Sequence, residues 1–296
     1  LHRRRHSFPT RRSSDLIEDY AQYQPVTGNA VSNRYADITF RPWASEMNNN
    51  GTINVNGTGN LGVVIRDNGS AFFTDASLNN TTGRINLNGN NGTGLYVEHS
   101  GYTFTNNGDI TSTSNTNNTG IRVDNGTITN KYNAGKGVRI AGTSANSTGM
   151  AALNSNSKVI NEGLIAITAT GGKNIGMYGT GGGTGNRIEN TGTNAEITMN
   201  ITAGSENIGA SIIGTGSTFS NSGKINLTDT TTAGKNVGIY SDNATVNNTG
   251  EVNLTTKGND IGIYLKGNSI GTIGGNINLT STGSNITLSI RHIRNY

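Results

Sequence analysis

The acidic residues of this 296-residue chain are the first place to look for catalysis. Enzymes that cleave acidic polysaccharides use clustered carboxylates, often together with Ca²⁺ and a basic residue. Here the acids are scattered: Glu18-Asp19 is the one adjacent pair, and no Asp-x-Asp occurs. Carboxylates that are distant in sequence could still meet after folding and form a glycosidase-type pair. The pattern nevertheless predicts no catalytic residue and a chain that is not an enzyme.

The histidines and the glycine-rich segments offer no stronger chemistry. The four histidines are His2, His6, His99 and His292, and three of them lie in terminal segments of foreign composition. A metal site or a Ser-His-Asp arrangement would therefore depend on His99, which is expected to be a loop residue. The run Gly-Gly-Gly-Thr-Gly at 181–185 resembles a phosphate loop, but no Lys-Ser/Thr follows it. We predict no metal ligand and no cofactor.

The formal net charge of +4 comes from the first sixteen residues, LHRRRHSFPTRRSSDL. Removing their five arginines and one aspartate from the 22 basic and 18 acidic residues leaves 17 of each. The rest of the chain is therefore neutral, and we expect no nucleic-acid partner. Residues 1–16 resemble translated sequencing-adapter read-through. The alternative is a basic arm that binds nucleic acid or membrane.

One repeating unit covers the chain from about residue 47 to residue 286 and recurs nine times. Its first half is apolar–x–Asn–x–Gly–x–apolar–x–apolar, as at 219–227, and its second half is Gly–apolar–x–apolar, as at 94–97. The apolar positions alternate with period two, which indicates short strands. Units of 25–32 residues with three such strands bury their apolar side only by stacking. The sequence predicts an all-β fold, a parallel β-helix of about nine coils that is expected to be right-handed.

The Asn and Gly of the first half are predicted to form the corner of each coil. Asn tolerates a left-handed backbone, and its amide can bond to the equivalent Asn in the coils above and below. The Gly that follows is expected to supply a positive φ. The predicted ladder consists of Asn106, Asn133, Asn161, Asn190, Asn221 and Asn248.

The second half of the unit predicts one candidate binding surface. A residue between two inward apolar residues points outward, so equivalent positions form an exposed column. Its large members are Tyr96, Arg122, Tyr178, Tyr240 and Tyr264, and its small members are Val64, Ala151 and Ser211. Tyrosines in a line can stack on sugars or anchor a protein partner. The alternatives are that aromatic pairs stabilise the sheet, or that the Gly turns the tyrosines inward.

Units such as Asn-Ser-Gly-Lys-Ile-Asn-Leu at 221–227, followed by Gly-Ile-Tyr at 238–240, resemble the passenger region of autotransporter (type V secretion) proteins of fusobacteria and their relatives. The likeness covers about residues 47–286. It implies secretion, translocation by a C-terminal outer-membrane β-barrel, which we expect to be missing from a truncated sequence, and display or release at the cell surface. It further implies a monomeric, non-enzymatic stalk or adhesin, with a role in virulence. The implied partner is a protein or glycan on host or bacterial cells, and the membrane link would be the barrel alone.

Four segments are expected along the chain. Residues 1–16 are non-native, 17–46 form an N-terminal cap or upstream region, 47–286 form the repeat domain, and 287–296 form an irregular or truncated tail. Three other functions stay open. A polysaccharide-degrading β-helix enzyme needs a carboxylate cluster on one face, a phage tail-spike segment would form an intertwined trimer, and an ice-binding protein needs regular Thr-x-Thr arrays.

Overall fold

A computed structural model describes residues 36–37, 49–66, 76–113, 116–142, 144–181, 185–230, 234–283 and 286–291. All of the regular elements in this part of the chain are β-strands. In chain order they are β1 (Ala36–Asp37), β2 (Thr52–Val55), β3 (Leu61–Arg66), β4 (Ala76–Asn79), β5 (Arg84–Leu87), β6 (Thr93–Asn106), β7 (Asp109–Thr113), β8 (Thr119–Asn130), β9 (Gly137–Gly142), β10 (Thr148–Leu153), β11 (Ser157–Asn161), β12 (Leu164–Ala169), β13 (Ile175–Thr180), β14 (Arg187–Asn190), β15 (Glu196–Ile201), β16 (Ile208–Ile213), β17 (Thr218–Asn221), β18 (Lys224–Asp229), β19 (Val237–Asp242), β20 (Thr245–Asn248), β21 (Glu251–Thr256), β22 (Ile261–Lys266), β23 (Ile270–Ile273), β24 (Ile277–Ser281) and β25 (Ile286–Arg291). The foreign segment 1–16 lies outside the described residues.

The strands are parallel and each pairs with its equivalent one repeat further along the chain. They form three faces. We call the nine-stranded sheet, β2-β5-β7-β9-β12-β15-β18-β21-β24, the polar sheet. The tyrosine face contains β3, the first parts of β6 and β8, and then β10, β13, β16, β19, β22 and β25. The third face contains β4, the later parts of β6 and β8, and then β11, β14, β17, β20 and β23. This arrangement confirms the predicted parallel β-solenoid.

Two strands are longer than the sequence pattern predicts. β6 has 14 residues and β8 has 12, because both continue through the corner between the tyrosine face and the third face. The pairing of β6 with β8 shifts register between Val97 and Thr103, at that corner. These two strands therefore join the two faces into one 16-stranded sheet.

The coil number is slightly below the prediction of about nine. The polar sheet has nine strands, but β2 and β24 are its edges, so about seven turns have a neighbour on both sides. The stack also extends beyond the predicted limits of the repeat. At the N-terminal end, β1 lies within the expected cap and pairs with β3. At the C-terminal end, residues 287–291 were predicted to be irregular, but they belong to β25, which pairs with β22. The pairing of Leu288 with Ile263 gives this last strand its place in the stack.

The core is one continuous column of mainly aliphatic side chains inside the coils, with Phe104 and Phe219 among them. The central polar-sheet strands contribute two alternate residues each, such as Ile165 and Ile167, or Ile225 and Leu227, which are almost fully buried. Such a side chain contributes about 1.5–3 kcal/mol when it leaves water. Since every coil adds a few of these residues, stacking supplies the burial that one coil lacks.

The outer surface of the polar sheet carries amides that pair between coils. Asn86 donates to Asn54 at 2.8 Å, and Asn278 donates to Asn253 at 2.7 Å. The described residues include no helix that is long and apolar enough to cross a membrane.

Candidate functional site

The predicted tyrosine column exists as one aligned row on the tyrosine face, but it is not exposed throughout, because Val64, Tyr96, Ala151 and Ser211 are buried. Strand pairing aligns its members in the order Val64, Tyr96, Arg122, Ala151, Tyr178, Ser211, Tyr240 and Tyr264. None of these eight residues belongs to the hydrophobic core cluster. The glycine of this strand therefore does not turn the tyrosines inward.

The glycine before each column member is required by the close approach of neighbouring coils. A Cβ on Gly176 would lie 2.4 Å from the carbonyl oxygen of Gly209, and a Cβ on Gly209 would lie 2.6 Å from that of Gly238. The same Cβ positions would also meet core side chains, such as Ile197 beside Gly176. Because Gly176 and Met177 are both buried, the alternation is interrupted, and Ile175 and Tyr178 remain partly exposed on either side of them.

The N-terminal end of the column is occupied by its own ion pair. The Arg122 guanidinium donates twice to Asp124, at 2.7 and 2.6 Å, and lies 5.3 Å from the centre of the Tyr96 ring. The Tyr96 hydroxyl has two carboxylate acceptors for its one proton, Asp124 at 3.0 Å and Glu98 at 3.1 Å. Burial, aided by the hydrogen bond to Asp124, raises the pKa of Tyr96 above its usual range. With 8% of its surface exposed, Tyr96 is not the exposed platform that the sequence predicts, because Arg122 covers it.

The C-terminal end of the column is more open. Tyr178, Tyr240 and Tyr264 are each partly exposed, and the last two rings meet edge to face with centroids 5.5 Å apart and planes at 73°. The Tyr240 hydroxyl donates to Asp242 at 3.2 Å, and Lys266 lies 2.7 Å from the same carboxylate oxygen. Burial is the main cause that raises the pKa of Tyr240.

A second apolar column lies beside these tyrosines and is absent from the sequence prediction. Strand pairing aligns Ile175, Ile208, Val237 and Ile261. All four side chains are partly exposed and lie outside the core cluster. We call these four residues, together with Tyr178, Ser211, Tyr240 and Tyr264, the apolar strip. The sequence contains a signal for this column: the equivalent positions 93, 119 and 148 of earlier coils are Thr, and the residue changes to Ile or Val from Ile175 onward.

The predicted asparagine ladder forms at the corner between the third face and the polar sheet, with one correction. Each Nδ2 donates to the Oδ1 of the next coil at 2.7–2.9 Å along the series Asn49, Asn79, Asn106, Asn130, Asn161, Asn190, Asn221 and Asn248. Asn133 is not a member, and Asn130 takes that place. The corner after Asn130 is longer than in other coils, so Asn133 instead donates to the backbone oxygen of Asn107 at 2.7 Å.

The backbone at this corner also differs from the prediction. None of the ladder asparagines has a positive φ, and among the corner glycines of the repeat only Gly135 and Gly192 do. The usual reason for Gly is again close packing: a Cβ on Gly250 would lie 2.1 Å from the carbonyl oxygen of Gly223. Left-handed residues occur instead at the corner before the tyrosine face, as at Asn117 and Lys173.

That corner contains a second buried ladder which sequence reasoning missed. The backbone N–H of each member donates to the side-chain oxygen of the next, at 2.7–3.1 Å, along the series Asn118, Ser147, Asn174, Asn207, Asn236 and Asp260. The position accepts Asn, Ser or Asp, so no single-letter motif reveals it. The shared signal is a small polar residue two positions before the glycine of the tyrosine face.

Two buried acids of the described residues, Asp229 and Asp260, share a hydrogen-bond donor at the C-terminal end of this ladder. Asp229 and Asp260 both accept from Nδ2 of Asn236, at 2.6 and 3.0 Å. Asp260 also accepts from Thr256. Both acids are nearly inaccessible, and their oxygens bond to the corner, so they act as structural acceptors. Among the described residues, no group of three or more His, Asp or Glu side chains could hold a metal ion.

No family model, curated protein or solved structure matches this chain.

Proposed function

We propose that this chain is a non-enzymatic repeat region displayed at a cell surface, where the solenoid is a stalk and its tyrosine face is adhesive. The observation that carries this proposal is the apolar strip, an outward row of tyrosine and aliphatic side chains on four consecutive coils. Aromatic residues on an exposed surface are common anchors of binding interfaces.

The other two faces offer less for a partner to bind. Amides on the polar sheet bond to one another between coils, as Asn253 does to Asn226 at 2.8 Å. Charged residues near the third face also pair between coils, such as Lys158 with Glu189 at 3.0 Å. Their hydrogen-bonding groups are thus already engaged, which favours the tyrosine face as the contact surface.

The resemblance to autotransporter passengers supports the location that we propose, which is the cell surface, attached to the outer membrane or released from it. A solenoid also suits a stalk, because each coil adds about 4.8 Å of length without changing the fold. In this proposal the partner is a molecule on the surface of a host cell or of another bacterium, and the chain acts as a monomer.

Attachment of the purified full chain to cells tests the adhesive role. The chain, labelled with a fluorophore, is added to cultured epithelial cells and to bacteria, and bound fluorescence is measured by flow cytometry. A triple variant, Tyr178→Ser, Tyr240→Ser and Tyr264→Ser, should bind at least about tenfold more weakly, since anchors of this kind dominate affinity.

The matched control is Tyr132→Ser, because Tyr132 is 56% exposed and lies outside the strip. Circular dichroism must show that both variants keep the strand content of the parent chain. Equal attachment by a folded triple variant, or no attachment by the parent, would contradict an adhesive role.

A further inference from the structure

The geometry of the apolar strip suits a long, narrow ligand. Its two columns follow the solenoid axis over four coils, with a rise of about 4.8 Å per coil. Tyr178 and Tyr240 are two coils apart, or about 10 Å, and the small Ser211 lies between them. A ligand that contacts both rings therefore extends along the axis.

The area of the strip is too small for a stable protein interface. The strip is four coils long, and its two columns are three residues apart along each strand. These two lengths give the strip an area on the order of 200 Å². A typical stable interface buries about 800 Å² on each partner. A second copy of this chain or a globular partner would need much more surface than the strip provides.

The charges beside the strip largely cancel. Asp242 and Lys266 pair at 2.7 Å, and Lys173 and Glu206 pair at 3.7 Å at the corner before the strip, where Lys235 also lies. The eight residues of the strip itself are uncharged. A polyanion would gain little here, so the strip is complementary to an uncharged ligand.

The strip combines partly exposed aromatic rings with polar groups at its edge, which is the combination that a sugar chain requires. The C–H face of a sugar ring is apolar and stacks on an aromatic side chain, while its hydroxyls need polar partners at the edge. Tyr178 and Tyr240 supply rings, and the buried Ser211 between them leaves the space between the two rings open. Two residues further along each strand lies the next column, which contains Thr180 and the Asp242–Lys266 pair. These polar groups lie along the edge of the tyrosine column.

From these four properties we infer that the apolar strip binds an uncharged glycan chain that lies along the solenoid axis. The inference deepens the adhesive function proposed above and depends on it. It assigns Ile175, Ile208, Val237 and Ile261 to the site, and it excludes Tyr96 and Arg122, which the Asp124 network occupies.

The test uses the purified full chain on an array of oligosaccharides. The array carries neutral chains of β-linked glucose, xylose and mannose of two to about eight units, together with polygalacturonate and sialylated chains as acidic counterparts. Binding to at least one neutral series should strengthen with length up to about four sugars, since the strip is about 15–20 Å long. It should change less than about twofold between about 0.05 and 0.5 M salt, because no net charge is paired.

Two strip variants and one control complete the test. The triple tyrosine variant and the pair Ile208→Thr with Val237→Thr should each lower neutral-glycan affinity at least about tenfold, while Tyr132→Ser should leave it unchanged. The threonine pair keeps β-branched residues in the strands, so it tests the aliphatic column even if the tyrosine variant unfolds.

Binding to none of these sugars, or only to the acidic ones, would overturn the inference. It would also be overturned if sedimentation showed that the parent chain dimerises through the strip and the variants do not. Cell attachment separates this failure from that of the proposed function. Attachment that persists after enzymatic removal of cell-surface glycans would retain the adhesin and reject the glycan, whereas absence of attachment would reject both.

Discussion

At the scale of single residues, a side chain in this protein has the same neighbour above and below it, and this repetition decides its role. Asn161 donates to Asn190 at 2.8 Å and accepts from Asn130 at the same distance, so its amide is satisfied although it is fully buried. A buried polar group with both partners in place costs little, whereas removal of one member leaves its neighbours unpaired.

This difference predicts unequal costs for two similar substitutions. Asn161→Ala should lower the free energy of unfolding by about 1–3 kcal/mol, because it orphans buried groups of Asn130 and Asn190. Asn133→Ala should cost less than about 1 kcal/mol, since Asn133 is only half-buried and lies outside the ladder. Urea unfolding followed by circular dichroism measures both, and equal costs would show that the ladder bonds contribute no more than one corner contact.

The Tyr96 phenol predicts a pH dependence at the alkaline end. Its pKa is raised in the folded chain, mainly by burial, relative to an unfolded value of about 10. The stability that it contributes is therefore fully present below pH 10 and is lost as the pH rises through the folded-state pKa. Because the pKa of Tyr240 is raised as well, spectrophotometric titration should show more than one tyrosine that ionises after the exposed ones, and Tyr96→Phe should remove the latest of them. A latest phase of unchanged amplitude in the variant would assign it to another tyrosine.

At the scale of the strand, the glycine of the tyrosine face decides how closely coils approach. A Cβ on Gly209 would lie within 2.4–2.6 Å of a core side chain and of the Gly238 carbonyl, so the coils must separate to admit it. The equivalent position is glycine in successive coils, including Gly149, Gly176 and Gly238, and each of them would meet the coil that follows.

We therefore expect Gly209→Ala to be strongly destabilising. Overpacking of this kind typically costs about 1–3 kcal/mol, and here backbone atoms rather than flexible side chains must move. Gly274→Ala is the matched control, because no atom lies within 4 Å of its Cβ and its φ is not in the left-handed region. Thermal unfolding of both variants checks this, and a lower melting temperature for the control would contradict the steric explanation.

The strand scale is also where sequence and structure agree best. Period-two alternation and a repeat of Asn and Gly were sufficient to predict strands, stacking and the alignment of Tyr178 with Tyr240 and Tyr264. The pattern could not predict which asparagine enters the ladder when a corner lengthens, since Asn133 fits the Asn-x-Gly motif and Asn130, the actual member, does not.

The limits of the site were less predictable, because exposure depends on neighbours in other coils. Tyr96 and Tyr178 occupy equivalent positions, but only Tyr96 has an arginine from the next coil over its ring. The outward direction of Ile175 was hidden because Gly176 interrupts the alternation on which the prediction depends.

At the scale of the whole molecule, stability is shared between neighbouring coils and has no single centre. Central coils are covered on both sides, whereas the side chains of Ile277 and Leu279 in β24, at one edge, are only partly buried. In such arrays each coil is stabilised mainly by contacts with the adjacent coils.

Amide hydrogen exchange should therefore follow a gradient along the rod. Protection should be highest in β12, β15 and β18 and should decrease towards β2 and β24, because local opening begins where one neighbour is missing. Mass spectrometry of peptic fragments measures this profile. Uniform protection from end to end would indicate that the whole array opens as a single unit.

The asparagine ladder has an electrical consequence for the rod. Each amide from Asn49 to Asn221 donates towards the C-terminal coil, so all of these bonds run in one direction. An amide dipole is about 3.5 D, and seven of them aligned would sum to on the order of 20 D. The second ladder runs in the same direction, from Asn118 to Asp260. The two ladders therefore contribute a dipole that is fixed by the fold and whose positive end points towards the C-terminal coil.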